Sequence, residues 1–434
     1  MTDDGRPPTA DKRMTTDKRT LASVVRRRSA VGLLALITLL VAGAAAGGPA
    51  ERPAAVASGG GEYVVGEADR MSDAERAEIM AMLAANTARL SATGLLPAPD
   101  PRASAQAALD WPLRPRAGFD DPGYHAVSGF MDHNPAFPNQ RLDYACGGRT
   151  YDSPSGYNHQ GTDFFMWPFA WNKMDAGDVE VVAAAPGVII GRSDGNFDRS
   201  CTLNGNKWNA VYVLHADGSV AWYGHLKRNS LTTKGLDATV AAGEYLGTVG
   251  SSGNSTGPHL HFELYDNGTL TDPYVGECNQ LPGGSWWIQQ RNYYDSGINR
   301  LATGTKAPTW GSCPNPDTPN EATQFQPGDR VTFLAYYRDL VAGKPTAFRI
   351  IQPDGSLFTQ WSHAIAQPHY TTSYWWWAYD LPADAPAGAW QFEADFNGTT
   401  SRHTFHVGPA VTPTPTPIAP TWKGFVPIIV KSDE

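Results

Sequence analysis

The sequence has little charge for its size, and this shortage excludes several kinds of protein. Asp, Glu, Lys and Arg make up 18% of the 434 residues, while 44 glycines and 34 prolines interrupt the chain. Such a composition excludes coiled coils and long helical bundles. A hydrophobic fraction of 41% is enough to fill a core, which excludes a wholly disordered chain. At roughly 150 residues per domain, the length predicts two or three domains.

Signatures of nucleotide and nucleic-acid binding are also missing. No GxxxxGK[ST] or GxGxxG motif stands between a predicted strand and a predicted helix. The formal net charge is −9, and residues 1–30 carry eight Lys or Arg against four Asp or Glu, so the remaining residues carry −13. Because phosphate binding depends on clustered cations, we expect no nucleic-acid partner.

The chain lacks an apolar run of the roughly 20 residues that a membrane-spanning helix needs. Its strongest run, residues 31–41, follows Arg26, Arg27 and Arg28 and precedes a stretch of small residues, an order typical of an export signal. Residues 1–46 are therefore predicted to be a signal peptide, or else an uncleaved N-terminal anchor that would be the only membrane contact. Either alternative places the protein outside the cytoplasm, secreted or at the cell surface.

Only four cysteines are present, and no two of them form a CxxC pair. A four-thiolate zinc knuckle is therefore not expected. An even number of cysteines is typical of an oxidising compartment. Three connectivities are possible, and sequence proximity favours Cys146 with Cys201 and Cys278 with Cys313; free buried thiols are the alternative.

The composition divides the chain into segments. Residues 47–110 are predicted to be a linker followed by one helix, since Ser72 and Glu75 match a capping box. Apolar residues then recur at helical spacing, at Ile79, Met82, Leu83 and Leu90. Gly94 and Pro97 end this helix. Two interpretations stay open, a docking helix and a removable pro-segment.

Two β-rich segments follow, and together they predict a mainly β protein. Residues 111–300 carry predicted strands at 179–184, 187–192, 210–215, 220–225, 245–249 and 259–265. After a linker at 301–322, residues 323–409 carry strands at 331–338, 347–352, 374–380, 390–395 and 403–407. The second set predicts a β-sandwich accessory domain for targeting or spacing. Residues 410–434 are predicted to be a Pro/Thr spacer with an apolar tail.

Aromatic residues and histidines outside the main motifs are expected to have mainly structural roles. Trp375, Trp376 and Trp377 suggest a glycan-stacking platform or, since side chains alternate along a strand, sandwich packing. His215 is expected to be a strand residue. His125 and His133 are expected on surface loops.

Five residues have the spacing of a metal site with catalytic partners. His159 and Asp163 are four apart, and His259 and His261 are two apart, so each pair faces one side of an extended segment. His225 follows a predicted hairpin. Two imidazoles and one carboxylate suit a catalytic zinc ion with one open position for water. Two further imidazoles could accept the proton of that water and hydrogen-bond a developing oxyanion. Each motif alone is weak; the set is specific.

The same residues resemble the lysostaphin-type zinc endopeptidases, the group that includes the β-lytic metallopeptidases. The resemblance rests on HQGTD at residues 159–163, YGHL at 223–226 and GSSGNSTGPHLHFE at 250–263, with APGVI at 185–189, and it covers about residues 125–275. The chain departs from the pattern around these motifs, where residues 165–171 and the loop at Cys201 look like insertions.

The resemblance implies one zinc ion held by His159, Asp163 and His261, with His225 and His259 as the catalytic pair. It also implies a small antiparallel sheet with a groove over the metal. The expected activity is hydrolysis of peptide bonds in bacterial peptidoglycan, the expected partner. The alternative is a non-catalytic cell-wall-binding or amidase-activating module on the same fold.

Overall fold

The computed structural model describes residues 52–64, 71–94 and 106–409. The predicted leader (residues 1–46) and the predicted spacer and tail (residues 410–434) lie outside these ranges. The described residues form one compact unit. None of the helices in the described ranges is both long and apolar enough to cross a bilayer.

The prediction of a mainly β fold is confirmed. Within the described ranges the helices are α1 (Asp73–Ala92) and α2 (Ala170–Ala176). The strands are β1 (Ala57–Glu62), β2 (Leu113–Pro115), β3 (His125–Gly129), β4 (Thr162–Met166), β5 (Val179–Val182), β6 (Gly187–Ser193), β7 (Ala210–His215), β8 (Val220–Gly224), β9 (Thr239–Val240), β10 (Tyr245–Thr248), β11 (His259–Asp266), β12 (Thr269–Thr271), β13 (Gly297–Gly304), β14 (Gln324–Phe325), β15 (Arg330–Val341), β16 (Thr346–Ile351), β17 (Leu357–His363), β18 (His369–Asp380), β19 (Gly388–Phe396) and β20 (Thr399–Val407). Each predicted strand corresponds to one of these.

An eight-stranded antiparallel sheet carries the predicted site. Its order is β3-β4-β11-β8-β7-β6-β9, and β12 also pairs with β11. Leu260 and Phe262 on β11 alternate with the histidines and lie in the apolar core. The small sheet β10-β5-β2 closes that apolar face, since Val181 and Leu246 belong to the same core. The histidines therefore share the opposite face.

The second β-rich segment forms two facing sheets. Their orders are β1-β18-β15-β13 and β14-β20-β19-β16-β17, antiparallel except for the pair β14 and β20. Between them Phe392 packs with its ring centroid 5.1 Å from Phe333 and 5.7 Å from Phe348. This is the sandwich architecture that the regular short strands predicted.

The sandwich packs directly against the eight-stranded sheet. Leu334 and Tyr336 on β15 belong to the same core as Phe164 on β4. The Trp167 indole N–H donates to the carbonyl of Tyr337 at 3.0 Å. Strand β13 crosses residue 300, the predicted end of the first domain, and pairs with β15. The shared core means that the two β-rich segments are not separated by an open linker.

The three consecutive tryptophans of β18 divide between the two faces of their sheet. Trp375 and Trp377 pack on the sandwich core, whereas Trp376 packs on the core shared with the eight-stranded sheet. An exposed platform is thus wrong for Trp377, which is 8% exposed. Strand β1, within the segment predicted as a linker, covers Trp376: a Cβ at Gly59 would lie 2.9 Å from its ring. Glycine permits this close approach.

The predicted N-terminal helix is present as α1. Ser72 is its N-cap, and its hydroxyl accepts from the Glu75 backbone N–H at 3.2 Å. Leu83 and Leu90 are buried against β6 and β7 residues, whereas Met82 is exposed. The helix therefore docks on the same side of the eight-stranded sheet as the histidines.

The predicted disulfide pairing is wrong, although both disulfides exist. The bonds join Cys146 with Cys278 and Cys201 with Cys313. The Cys278 backbone N–H donates to the carbonyl of Tyr144 at 2.9 Å, which holds two distant loops together. Proximity along the chain failed as a guide because the antiparallel topology brings remote connections into contact.

Candidate metal centre

Three predicted ligands converge at the junction of β4 and β11. The His261 Nδ1 lies 2.8 Å from Asp163 Oδ1, and the His159 Nε2 lies 3.2 Å from Asp163 Oδ2. The two ring nitrogens, His159 Nε2 and His261 Nδ1, are 3.4 Å apart. All three side chains are buried. Asp163 and His261 are opposite each other in the β4–β11 register, which explains their approach.

Gly161 allows the segment from His159 to Asp163 to lie against β11. A Cβ at this position would come within 2.5 Å of the Phe262 carbonyl oxygen and 2.8 Å of His261 Nε2. No side chain fits there, so the motif needs glycine for close approach.

Hydrogen bonds fix which ring nitrogens face the centre. The His159 Nδ1 lies 2.6 Å from the Phe130 carbonyl, which can only accept, so Nδ1 carries the proton. The His261 Nε2 lies 2.9 Å from Glu263 Oε1 and donates to it. The lone pairs of His159 Nε2 and His261 Nδ1 consequently point towards Asp163.

This donor set fits zinc. Bonds of 2.0–2.1 Å in a tetrahedral site separate neighbouring ligand atoms by about 3.3 Å, close to the distances given above. Two ring lone pairs and a carboxylate facing one another in a buried site are costly unless a cation lies between them. A second group, His225, His259 and His261, also has ring nitrogens within 4.8 Å of one another. We favour the group with Asp163 because it adds a carboxylate to two imidazoles and its donor atoms lie 2.8–3.4 Å apart.

His225 and His259 lie beside the three candidate ligands. Their ring centroids are 4.5 Å apart. Each ring places Nδ1 near a backbone carbonyl, Ser252 at 2.5 Å for His225 and Gly257 at 2.8 Å for His259. Each Nδ1 therefore donates, and the Nε2 keeps its lone pair in the neutral ring. The His259 Nε2 is 3.6 Å from Asp163 Oδ1, which places it next to the centre.

A left-handed backbone conformation places the His225 ring. Strand β8 ends at Gly224, and His225 follows with φ of 59°. Such a conformation costs a non-glycine residue roughly 1–3 kcal/mol. Gly224 is itself required, since a Cβ there would lie 2.0 Å from the Trp208 ring. This local strain therefore falls on a residue of the predicted site.

Glu263 and Tyr151 contact the candidate ligands but were not predicted. Burial alone would raise the pKa of Glu263, but the Arg76 guanidinium and the hydrogen bond from His261 together outweigh burial and lower this pKa to about 2, so Glu263 is ionised. The Tyr151 hydroxyl donates to Asp163 Oδ2 at 3.1 Å. Glu263 could have been found, since it lies two residues after His261 on the same strand face. No sequence signal indicated Tyr151 or Arg76.

A cleft of about 330 Å³ opens beside the centre, and Asp163 and His259 line it. Its walls include residues 62–64, the predicted insertion through Phe165 and Trp171, residues of the 311–317 segment, and Thr371 of β18. Both the predicted linker and the sandwich therefore contribute to the groove.

The remaining histidines stay outside the site. His215 ends β7, as predicted. His125 is buried at the start of β3, near Arg291, so a surface position is wrong. His133 is half-buried and its Nε2 lies 2.8 Å from Asp272 Oδ2. These contacts give all three residues structural roles.

Residues 157–273, about a quarter of the chain, match the family model of peptidase family M23, and the predicted resemblance is confirmed. Peptidases of this family are zinc enzymes.

Several curated relatives match parts of the chain. DD-carboxypeptidase/endopeptidase Mpg of Neisseria meningitidis is 44% identical over 79 residues, 18% of this chain and 17% of that protein. Peptidoglycan DD-endopeptidase ShyC of Vibrio cholerae is 31% identical over 122 residues, 28% and 23% of the two chains. Glycyl-glycine endopeptidase ALE-1 of Staphylococcus capitis is 32% identical over 124 residues, 27% and 29%. The chain thus spans less than a third of each relative.

Solved structures match about a third of this chain. The catalytic domain of lysostaphin from Staphylococcus simulans is 27% identical, with 34% of this chain and 89% of that chain covered and a TM-score of 0.22. The catalytic domain of the prophage-encoded M23 protein EnpA from Enterococcus faecalis is 25% identical, with 36% and 92% covered and a TM-score of 0.21.

Proposed function

We propose that the protein is a zinc metalloendopeptidase that hydrolyses peptide bonds of bacterial peptidoglycan. The observation that carries the proposal is the convergence of His159 Nε2, Asp163 and His261 Nδ1 beside an open cleft. The relatives named as peptidoglycan DD-endopeptidase and glycyl-glycine endopeptidase support the substrate class.

His159, Asp163 and His261 would hold the ion. When bound, zinc supplies a Lewis acid for the scissile carbonyl and lowers the pKa of a bound water. The residues of the chain keep the ligands oriented: the Phe130 carbonyl fixes His159, Glu263 fixes His261, and Tyr151 donates to Asp163.

His225 and His259 are proposed to move protons. With Nδ1 donating to a backbone carbonyl, each Nε2 keeps the lone pair that can take the proton of the attacking water as a general base. Once protonated, the same Nε2 donates a hydrogen bond to the oxyanion of the tetrahedral intermediate, or passes the proton to the leaving amine. The two rings, 4.5 Å apart, can serve one reacting group together.

The site of action is proposed to be outside the cytoplasm. Peptidoglycan lies there, and the two disulfides are typical of an oxidising compartment. The predicted export leader in residues 1–46 agrees with this location.

Zymography on purified cell walls tests the proposal. The parent protein should clear the wall, a chelator should abolish clearing, and added zinc should restore it. His406→Ala, on sandwich strand β20, is the matched histidine control and should clear normally. Clearing that persists in chelator would contradict the zinc mechanism. No clearing by the zinc-loaded parent would favour the non-catalytic wall-binding alternative.

A further inference from the structure

Glu263 and Arg76 form a buried ion pair next to the candidate metal centre. Glu263 contacts the proposed ligand His261 but is not itself a proposed ligand. Arg76 Nη1 lies 2.5 Å from Glu263 Oε2, and Arg76 Nη2 lies 2.9 Å from Glu263 Oε1. Glu263 is 1% exposed. We infer that Glu263 is a positioning residue for the ligand His261. We also infer that Arg76, on helix α1, holds Glu263 in place and so supports the metal centre. The inference depends on the proposed zinc site.

The two ring nitrogens of His261 have different partners. Only Nδ1 faces Asp163, while Nε2 lies 2.9 Å from Glu263 Oε1. A carboxylate acceptor at Nε2 keeps the proton there and leaves the Nδ1 lone pair for the metal. Without that acceptor, the ring can rotate or carry its proton on Nδ1, and either change removes a ligand.

The carboxylate of Glu263 is buried and pairs with Arg76. A buried carboxylate needs a cationic partner, because an unpaired buried charge is costly. Arg76 engages both carboxylate oxygens, and the Tyr265 hydroxyl donates to Oε2 at 2.8 Å. The guanidinium also lies over the Trp222 ring, 5.5 Å from its centroid. Arg76 therefore holds the Glu263 carboxylate in the position that accepts from His261.

Arg76 comes from a part of the chain outside the family match. It lies in the first turn of α1, well outside the matched residues 157–273. Leu83 and Leu90 hold the helix on the sheet, and Arg89 pairs with Asp237 near its other end. Removal of the helix would leave Glu263 buried without its guanidinium. The inference thus favours a permanent docking helix over a removable pro-segment.

Zinc affinity of the full-length protein tests the inference, measured by competition with a chromogenic chelator. Glu263→Gln and Arg76→Gln should each weaken zinc binding by about 10–100-fold, the range for partners of metal ligands. Arg89→Gln removes a different, exposed ion pair of the same helix. This control should change the affinity by less than about threefold, because an exposed pair contributes little.

A spectroscopic measurement separates positioning from general destabilisation. In Co²⁺-loaded protein, the visible absorption should shift in Glu263→Gln and stay unchanged in Arg89→Gln. If Glu263→Gln does not fold, a folded Arg76→Gln variant decides the question: weaker zinc binding supports the inference, and parental affinity overturns it.

The outcomes distinguish this inference from the proposed function. A parent protein that binds zinc, together with a folded Glu263→Gln variant of equal affinity and spectrum, overturns the positioning role alone. A parent protein that binds no zinc overturns the proposed function itself.

Discussion

Strands β11 and β19 are both interior strands of antiparallel sheets, yet they bury different kinds of side chain. Along β19 every second residue is buried, and Phe392 contributes to the sandwich core. Its alternate residues, such as Glu393, keep contact with solvent. Along β11 all residues except the last are buried, and His259, His261 and Glu263 occupy one of its two buried faces.

The two strands differ in how their polar side chains find hydrogen-bond partners. Polar groups of β19 keep water as a partner, whereas those of β11 must find partners inside the protein. His261 finds Asp163 and Glu263, and Glu263 finds Arg76. The strand that buries charge on one face is thus the strand that carries the proposed site, and substitutions on the two strands should separate activity from stability.

The largest expected effect is that of His261→Ala. Loss of a proposed ligand should release zinc and lower wall hydrolysis by more than about 10³-fold, since removing a single oxyanion donor already costs about 10²–10³-fold. Metal content of the purified variant and hydrolysis of soluble peptide measure both. A variant that kept parental zinc content would contradict the ligand assignment.

His225→Ala should lower the catalytic rate by about 10²–10⁴-fold while keeping most of the zinc, because general acid–base catalysis contributes that range. Steady-state kinetics and metal analysis on the same preparation measure the two effects. Release of zinc by this variant would show that His225 is a ligand, in line with the alternative group that contains His259 and His261.

Phe392→Ala should have the opposite profile. The ring is fully buried, so its removal should lower the free energy of unfolding by about 3–5 kcal/mol. Zinc affinity, measured where the variant is still folded, should match that of the parent. Denaturant unfolding measures the first quantity and chelator competition the second. A large loss of affinity would show that the sandwich core and the metal centre are tightly coupled.

The smallest expected effect concerns His363 on β17, a half-buried imidazole of the sandwich. Burial beside Trp375 and Trp377 lowers its pKa to about 4. The unfolded chain, with a pKa near 6.5, then binds a proton that the folded protein does not, so stability falls as the pH drops from about 6.5 to 4.

His363→Gln should remove that contribution, about 1 kcal/mol after allowance for the partial exposure of the ring. The measurement is the free energy of unfolding at pH 7.5 and pH 4.5 for the parent and the variant. An equal difference between the two pH values in both proteins would contradict the role of His363.

The strands, and the convergence of the five proposed site residues, were predictable because their signals are local. Period-two alternation marks β11, and glycine at position 161 agrees with the close approach found there. Contacts that depend on tertiary topology were not predictable. The partner of Cys146 is 132 residues away, and Arg76 lies 187 residues from Glu263. No periodicity connects such positions, and strand β1 was hidden because its glycines have weak strand propensity.

The dispersed walls of the cleft have a consequence for engineering and for evolution. A chimera that received only residues 157–273 would inherit the five site residues, but not residues 62–64, the 311–317 segment or Thr371. Chemistry and selectivity are thus carried by different portions of the gene. Substitutions in the flanking segments can change which substrate the proposed enzyme accepts, while its reacting groups remain unchanged.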